Sequence, residues 1–261
     1  MEKISERLGA LVCDMDGVLY RGDSVIGGAP EALDRLRSAG LKILFCTNNS
    51  RATVDDYVEK LSRMGFAVDR DEIVTSAIVT AEELRSRDTG GASAYVVGGP
   101  GIRTAMSEAG YTLCDGEEGE SSDVVVVGWD ETFTWDKMRI AATAVRRGAA
   151  FIATNDDATF PADGGLWPGA GSILASIERA SGRRAEVMGK PNPPMLASLR
   201  RHLGDIDNVA MVGDRPDTDL EGARRLGWMT ILVLSGVTSA EEARSVEPAP
   251  DLTVSSLADL S

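Results

Sequence analysis

The chain has 261 residues, a length that fits one large domain or two domains of ordinary size. Its hydrophobic content of 43% is enough for a full core and argues against disorder. The formal net charge of −14 argues against nucleic-acid binding, which needs a basic stripe. Three cysteines, no apolar run of membrane-spanning length and no signal-peptide core predict a cytoplasmic protein with reduced thiols and no membrane partner.

The sequence contains one histidine, His202, in a stretch that is typical of a polar-faced helix. Catalysis therefore has to depend on carboxylates, lysine or hydroxyl groups. This excludes triad-type hydrolases and zinc sites that use histidine ligands.

Two carboxylates follow the first predicted strand, an apolar run from Leu8 to Cys13 that ends at Asp14, Asp16 and Gly17. Carboxylates two residues apart in an extended chain point the same way. Ligands of open α/β sheets bind just past the carboxyl ends of the strands. Because neighbouring carboxylates repel each other, the motif indicates a hard divalent cation such as Mg²⁺. A plain polar turn is the alternative.

A second strand end carries polar residues as well. Turn formers at 21–30 predict a loop or short hairpin, a helix follows from Pro30 to Ser38, and a strand from Lys42 to Cys46 ends at Thr47. Thr47 and the amides after it can donate hydrogen bonds to a phosphate oxygen, next to a helix that starts near Val54. Helix N-capping is the alternative role of this segment, Thr47-Asn48-Asn49-Ser50.

An inserted second domain is predicted at 81–183. A helix over 54–65, a strand at 73–76 and a helix over 77–86 come first, and a new strand–helix series then begins. Strands are predicted at 94–97, 123–128 and 150–154, and helices at 101–109 and 134–147. The strand ends that carry chemistry resume only after this series, which favours an insertion.

Two loops of the predicted insert are candidate ligand-binding sites. Gly98-Gly99-Pro100-Gly101 lacks the spacing of a dinucleotide-binding loop and is predicted to be a structural turn. The polar cluster Asn155-Asp156-Asp157 follows a predicted strand and precedes a loop at 164–171, after which a helix runs to Ala180. These loops face either a substrate or plain solvent.

Lys190 follows a predicted strand at 185–188, in Gly189-Lys190-Pro191. This is not a P-loop, because the upstream glycine and the hydroxyl after the lysine are missing. A lysine here can pair with the aspartates of the first motif and with a transferring phosphoryl group. A helix over 194–203 follows.

The segment Asn208–Leu220 repeats the opening pattern, because an apolar strand runs into glycine and acids. Asp214 lies at the strand end, and Asp219 lies near the start of a helix that continues to Leu226, where a carboxylate is favoured. Strands at 229–234 and 252–254 complete the predicted core.

Taken together, these strand ends resemble the haloacid dehalogenase (HAD) superfamily of phosphatases. The matching motifs are Asp14-Met15-Asp16-Gly17-Val18-Leu19, Thr47-Asn48-Asn49-Ser50, Gly189-Lys190-Pro191 and Gly213-Asp214-Arg215-Pro216-Asp217-Thr218-Asp219. The insert resembles the type IIA cap of the NagD and p-nitrophenyl phosphatase branch, with Asn155-Asp156-Asp157 where many members have Asn-Pro-Asp. The resemblance implies an α/β protein whose Rossmann-like parallel-sheet core spans 1–80 and 184–261, with an inserted α/β cap domain at 81–183.

The resemblance also implies roles for the site residues. Asp14 would attack phosphorus and form an aspartyl-phosphate, and Asp16 would protonate the leaving oxygen and then accept a proton from water. Mg²⁺ would be held by Asp14, the main-chain carbonyl of Asp16 and Asp214, with Asp219 in support.

The remaining implied residues bind the substrate. Thr47, Asn48 and Asn49 would hold phosphoryl oxygens, and Lys190 would neutralise the negative charge there. The cap would contribute Asn155 and Asp157.

The resulting hypothesis is a Mg²⁺-dependent phosphatase of small phosphomonoesters. Examples are phosphoglycolate, glycerol phosphate, pyridoxal phosphate, nucleotides, sugar phosphates and p-nitrophenyl phosphate, and the sequence does not choose among them. The alternatives are a phosphotransferase or mutase with the same intermediate and a non-catalytic receiver-like module. A homodimer through the cap is compatible with the resemblance.

Overall fold

The computed structural model describes residue 4 and residues 7–87, 91–162 and 165–260. Contacts between Cα atoms divide the chain into two compact units. The first unit consists of Met1–Thr47, Tyr57–Val74 and Leu196–Ser261. The second consists of Asn48–Asp56 and Thr75–Met195.

Short strands and helices alternate along most of the described chain. The strands are β1 Ala10–Asp14, β2 Tyr20–Arg21, β3 Ser24–Val25, β4 Lys42–Thr47, β5 Ile73–Thr75, β6 Ser93–Val97, β7 Thr112–Cys114, β8 Val124–Val127, β9 Ala150–Ala153, β10 Thr159–Ala162, β11 Gly165–Pro168, β12 Glu186–Val187, β13 Val209–Gly213, β14 Met229–Val233 and β15 Leu252–Val254. The α-helices are α1 Ala29–Ser38, α2 Val54–Arg63, α3 Ser76–Ser86, α4 Pro100–Glu108, α5 Trp135–Arg147, α6 Ala170–Ser181, α7 Pro193–Leu203 and α8 Glu221–Leu226.

The first unit is built on a six-stranded sheet in the order β15-β14-β13-β1-β4-β5. The pairs of β1 with β4 and β13, and of β14 with β13 and β15, are parallel. The four apolar residues of β1 are all buried, which is the composition that a central parallel strand needs. This confirms the predicted α/β class with a parallel-sheet core.

The register of this sheet aligns three strand ends. Asp14 lies opposite Cys46 on β4, and Cys13 lies opposite Val212 on β13. The residues that follow these pairs therefore leave the sheet at one edge. The segment 21–30, predicted as a loop or short hairpin, contains most of the two-stranded hairpin β2–β3, which begins one residue earlier at Tyr20.

The second unit is a parallel α/β unit of its own, with a five-stranded sheet in the order β12-β9-β8-β6-β7. The whole of β8 is buried, and the hydrophobic core of the second unit includes Val125 and Val127 of β8 and Phe151 of β9. The Gly98–Gly101 segment begins α4. The N–H groups of Gly101 and Ile102 there donate to main-chain carbonyls of Arg51 and Ser50, as expected for a structural turn.

Two pairings of the second unit differ from the prediction. β7 is a three-residue strand that the sequence pattern does not reveal. The predicted loop at 164–171 is instead strand β11, paired antiparallel with β10, followed directly by α6; residue 164 lies outside the described residues. Each hairpin strand contains a proline, Pro161 or Pro168, and proline in a run argues against a strand because it has no N–H to donate.

Cys13 and Cys46 are buried in β1 and β4 and Cys114 is half-buried, and none of these three cysteines is in a disulfide. In the part of the chain that the structure describes, no helix combines the length and the apolar character that crossing a bilayer requires.

Asp251 ties the edge strand β15 to β14, and we expect this tie to depend on pH. Thr230 donates to Asp251 Oδ2 from its main-chain nitrogen at 2.8 Å and from its hydroxyl at 2.7 Å. These hydrogen bonds lower the pKa of Asp251. A lowered folded-state pKa stabilises the fold above the unfolded value of about 3.9, and this stabilisation is lost as pH falls through the folded value.

Asp251→Asn should therefore lower the free energy of unfolding at pH 7, with a difference from wild type that shrinks below about pH 4. Urea unfolding across pH measures this, with the exposed Asp205→Asn as control. A difference that stays constant with pH would contradict the prediction.

Candidate active site

Three carboxylates meet at the carboxyl edge of the first unit's sheet. Asp14 is the last residue of β1, Asp214 follows β13, and Asp219 lies in a π-helical turn, Pro216–Leu220. One oxygen atom of each lies within 4.8 Å of the others. Asp214 and Asp219 are each only 2% exposed. Because buried like charges at this separation repel each other, the cluster favours a bound cation, and its oxygen donors suit hard ions such as Mg²⁺ or Ca²⁺.

Main-chain donors hold two of these carboxylates in place. Val237 N donates to Asp214 Oδ2 at 2.6 Å, and the Thr238 hydroxyl donates to the Asp214 carbonyl at 2.6 Å. Arg215 N donates to Asp219 Oδ2 at 3.1 Å. Asp219 N returns a bond to the Arg215 carbonyl at 2.9 Å. The π-helical turn thus replaces the simple helix start that the sequence predicted, and π-helical turns are frequent at functional sites.

Glycine is required beside Asp214. Gly17 has a φ of +82°, and a Cβ atom there would lie 2.4 Å from Asp214 Oδ2. A Cβ at Gly236 would lie 2.0 Å from the same oxygen. The glycine of the Asp14-Met15-Asp16-Gly17 motif therefore provides both a left-handed turn and room for the carboxylate.

Asp16 is placed by a tight turn after β1. Leu19 N donates to the Met15 carbonyl at 2.8 Å, and Gly17 N donates to the Tyr20 carbonyl at 2.7 Å. Within residues 7–87, 91–162 and 165–260, Asp16 Oδ1 is buried and accepts no hydrogen bond. Burial raises the pKa of Asp16, although nearby positive charges oppose this rise. A carboxyl group with a raised pKa is suited to donating a proton.

Lys60 and Tyr20 are close to Asp16 and were missed by the sequence analysis. Lys60 Nζ lies 3.9 Å from the centroid of the Tyr20 ring, in cation–π contact. Burial lowers the pKa of Lys60, and the charges of Asp16 and Asp23 oppose this only in part. The only signal available was the amphipathic pattern of α2, which does not separate this lysine from an ordinary helical one.

Thr47 ends β4 at the same sheet edge as Asp14. The register places Cys46 opposite Asp14, so Thr47 extends one residue beyond that level. It is 6% exposed. The structure thus brings Thr47 to the sheet edge that carries the carboxylates.

Three other predicted residues, Lys190, Asn155 and Asp157, come together around Asn48 within the second unit. Asn48 Oδ1 accepts from Lys190 N at 2.7 Å, and Asn48 Nδ2 donates to the Lys190 carbonyl at 3.1 Å. The same Nδ2 donates to Asp157 Oδ2 at 3.2 Å, and Asn155 Nδ2 donates to the Asn48 carbonyl at 2.7 Å. Lys190 is 3% exposed. Asn48 therefore fixes the backbone of Lys190 and the loop of Asn155 and Asp157 at once.

The segment at the start of α6 packs against the Asn155–Asp157 loop. A Cβ at Gly171 would lie 2.2 Å from the Asp156 carbonyl oxygen, so only glycine allows this approach. Gly171 N donates to the Asp157 carbonyl at 2.9 Å, and Gly169 N donates to the Ala158 carbonyl at 2.9 Å. The Gly169-Ala170-Gly171 sequence is thereby explained by packing.

A small cavity of about 70 Å³ opens beside this loop. Its lining combines the polar residues with two aromatic rings that the sequence analysis missed. The lining residues are Asn48, Asn49, Trp129, Asn155, Asp157, Thr159, Phe160, Gly169 and Ala170. Asn49, an exposed residue, accepts a hydrogen bond from Arg51 N at 2.9 Å. Because Pro161 and Pro168 argue against strands, the sequence analysis did not predict the β10–β11 hairpin that carries Phe160.

Comparison with known proteins identifies the family. A protein-family model described as haloacid dehalogenase-like hydrolase matches residues 11–112, and a second family model described as HAD-hydrolase-like matches residues 187–260. An acid sugar phosphatase of Staphylococcus aureus is 39% identical over 242 residues, which cover 92% of each chain. The chain belongs to the haloacid dehalogenase-like hydrolase family.

Solved structures of relatives agree with this assignment. A glycerol phosphate phosphatase from Mycobacterium tuberculosis in complex with magnesium is 34% identical, with a TM-score of 0.90 over 98% of this chain and 77% of that one. The same enzyme has been solved with calcium. A 4-nitrophenylphosphatase from Thermotoga maritima is 34% identical, with a TM-score of 0.91 over 99% of this chain and 98% of that one. The predicted family branch and the predicted enzyme class, a phosphatase, are confirmed.

The carboxylate cluster predicts opposite effects of one substitution with and without metal. Mg²⁺ at ~100 times its Kd should raise the Tm of the wild type by roughly 5–10 °C. Asp219→Asn should weaken this response because it removes one negative charge from the cluster. In EDTA the same variant should melt at a higher temperature than wild type, since repulsion is relieved.

Differential scanning calorimetry with Mg²⁺ and with EDTA measures both effects. Asp217→Asn is the matched control, because Asp217 lies in the same π-helical turn but is exposed. An Asp219→Asn protein with the full Mg²⁺ response would rule out Asp219 as part of a cation site.

Proposed function

We propose that the protein is a Mg²⁺-dependent phosphatase that hydrolyses small phosphomonoesters through an aspartyl-phosphate on Asp14. The observation that carries this proposal is the cluster of the half-buried Asp14 with the buried Asp214 and Asp219 at the carboxyl edge of a parallel sheet. A phosphate dianion can approach a carboxylate nucleophile only where other charges compensate the repulsion. The names of the relatives, which are phosphatases, support the same reaction.

The residues present fit a hard divalent cation. Asp14 and Asp214 would offer carboxylate oxygens, the main chain of Asp16 would offer a carbonyl, and Asp219 would support them. When bound, Mg²⁺ supplies positive charge that offsets the charge of the carboxylates and of the phosphoryl group.

Asp14 and Asp16 would divide the chemistry. A carboxylate oxygen of Asp14 forms a bond to phosphorus while the bond from phosphorus to the ester oxygen breaks, and Asp16 gives its proton to that leaving oxygen. Asp16, now ionised, accepts a proton from the water that attacks the aspartyl-phosphate, which releases inorganic phosphate and restores Asp14. The raised pKa of Asp16 supports the first of these proton transfers.

Thr47 would hold a phosphoryl oxygen with its hydroxyl, and the main-chain N–H groups of Asn48 and Asn49 would hold others. The side chain of Asn48 is engaged with Lys190 and Asp157, so its contribution falls to the main chain. Lys190 would neutralise charge on the phosphoryl group. Its backbone is tied to Asn48, the residue that directly follows Thr47 in the chain.

We further propose that the insert acts as a cap that reads the leaving group through Asn155 and Asp157. The domain boundaries at 80/81 and 183/184, a small phosphorylated metabolite as substrate, a homodimer through the cap and a cytoplasmic location remain predictions. Asp16 favours hydrolysis over phosphotransfer, because a proton-accepting group beside the nucleophile activates water. The phosphatase relatives favour an enzyme over a receiver-like module.

The nucleophile is tested with Asp14→Asn and p-nitrophenyl phosphate. The variant should lose at least ~10³-fold in kcat, because no carboxylate remains to attack phosphorus. Wild-type activity should require Mg²⁺ and disappear in EDTA. Asp34→Asn, an exposed position on α1, is the control and should retain full activity. Appreciable turnover by Asp14→Asn would refute the mechanism.

Asp16→Asn separates the two chemical steps. The 4-nitrophenolate group leaves with little need of a proton, so the first step should continue while the second lacks its base. We therefore expect a burst of nitrophenol and accumulation of phosphorylated protein, detected by intact-protein mass spectrometry after acid quench. If the variant turns over at the wild-type rate without accumulation, Asp16 has neither role.

A further inference from the structure

Three aromatic side chains form a continuous row in the second unit. The ring centroids of Trp129 and Phe160 are 4.3 Å apart, and those of Phe160 and Trp167 are 6.4 Å apart. Phe160 and Trp167 are register partners across the β10–β11 hairpin, so their side chains leave the same face of it. We call Trp129, Phe160 and Trp167 the aromatic row.

The aromatic row borders the cavity at the Asn155–Asp157 loop. Trp129 follows β8, and Trp129 and Phe160 line the cavity together with Asn155 and Asp157. Polar groups and aromatic faces thus converge on one small space. This combination is typical of a site that binds a ligand with a flat apolar body.

The aromatic row is not part of the unit's core. Trp167 is 54% exposed, and none of the three belongs to the cluster of buried residues around Val125 and Phe151. Single exposed apolar residues are common on protein surfaces and need no explanation. Three aromatic rings in a row, with Phe160 in contact with both tryptophans, are a different case because the row ends in an exposed Trp167 ring that is accessible for stacking.

Two neighbouring side chains, Arg51 and Phe160, contact the Trp129 ring. The Arg51 guanidinium carbon lies 5.3 Å from the centroid of the Trp129 ring, and Arg51 Nη2 pairs with Glu131 Oε2 at 2.7 Å. Phe160 is the ring neighbour of Trp129 in the aromatic row. These contacts restrict the motion of the Trp129 ring, and a restricted ring loses less entropy when it binds a ligand.

We propose that the aromatic row is a stacking surface that selects phosphomonoesters whose leaving group is a planar aromatic or heteroaromatic ring. This inference rests on the proposed function, since it names the substrate class of the proposed phosphatase. A π face stacks on Trp or Phe, whereas a saturated ring or an open-chain polyol offers no such face.

The test compares phenyl phosphate with cyclohexyl phosphate, which differ in the planarity of rings of the same size. Trp167→Leu keeps an apolar residue at an exposed position, so the fold is retained. The variant should lose kcat/KM for phenyl phosphate at least ~5-fold more than for cyclohexyl phosphate. Trp135→Leu is the matched control, because Trp135 is 66% exposed on α5 and lies outside the aromatic row; its ratio should equal that of wild type.

An equal loss for both esters, or no loss for either, would overturn the proposal. If Trp167→Leu changes the oligomeric state measured by light scattering and lowers both activities equally, the aromatic row is a subunit interface instead. Phenylphosphonate and cyclohexylphosphonate cannot be hydrolysed, so calorimetric titration of them with Mg²⁺ present tests stacking even if no ester is turned over. Trp167→Leu should then weaken phenylphosphonate selectively, and equal Kd changes for the two phosphonates would refute the stacking surface.

Discussion

Mutual repulsion among Asp14, Asp214 and Asp219 is the constraint on which the rest of the first unit depends. Three negative groups are brought within 4.8 Å by strand ends whose sequence positions are far apart. The fold keeps two of them in place with main-chain donors, such as Val237 N, and makes space with glycines beside Asp214. A bound cation would offset this repulsion, because its positive charge compensates the three carboxylates.

The parts of the site that the sequence predicted share one physical cause. Buried parallel strands read as apolar runs, so their ends can be located, and ligands of α/β sheets gather at those ends. Asp14, Thr47 and Asp214 were predicted as site residues in this way, and the register of β1 with β4 and β13 brings their strand ends to one edge of the sheet. Asp219 was predicted from its motif, whereas its π-helical turn was not predicted.

The features that the sequence analysis missed depend on tertiary contacts, and such contacts produce no periodic pattern in the sequence. Lys60 is close to Asp16 only because α2 packs near the β2–β3 hairpin, and its helical pattern is that of any surface lysine. The β10–β11 hairpin contains prolines, which argue against strands unless the edge position is known. The sequence analysis therefore did not single out Phe160 of β10, nor Trp129 in the loop after β8, although tertiary structure brings both rings to one cavity.

The bonds of Asn48 have a consequence for how this enzyme can diverge. The side chain of Asn48 forms hydrogen bonds with both the backbone of Lys190 and the carboxylate of Asp157. A substitution that shifts the Asn155–Asp157 loop therefore also shifts the backbone of Lys190. Trp167, on the hairpin beside it, is more than half exposed and outside the core. The proposed stacking surface can therefore be altered by mutation of the hairpin without changing the hydrogen bonds of Asn48.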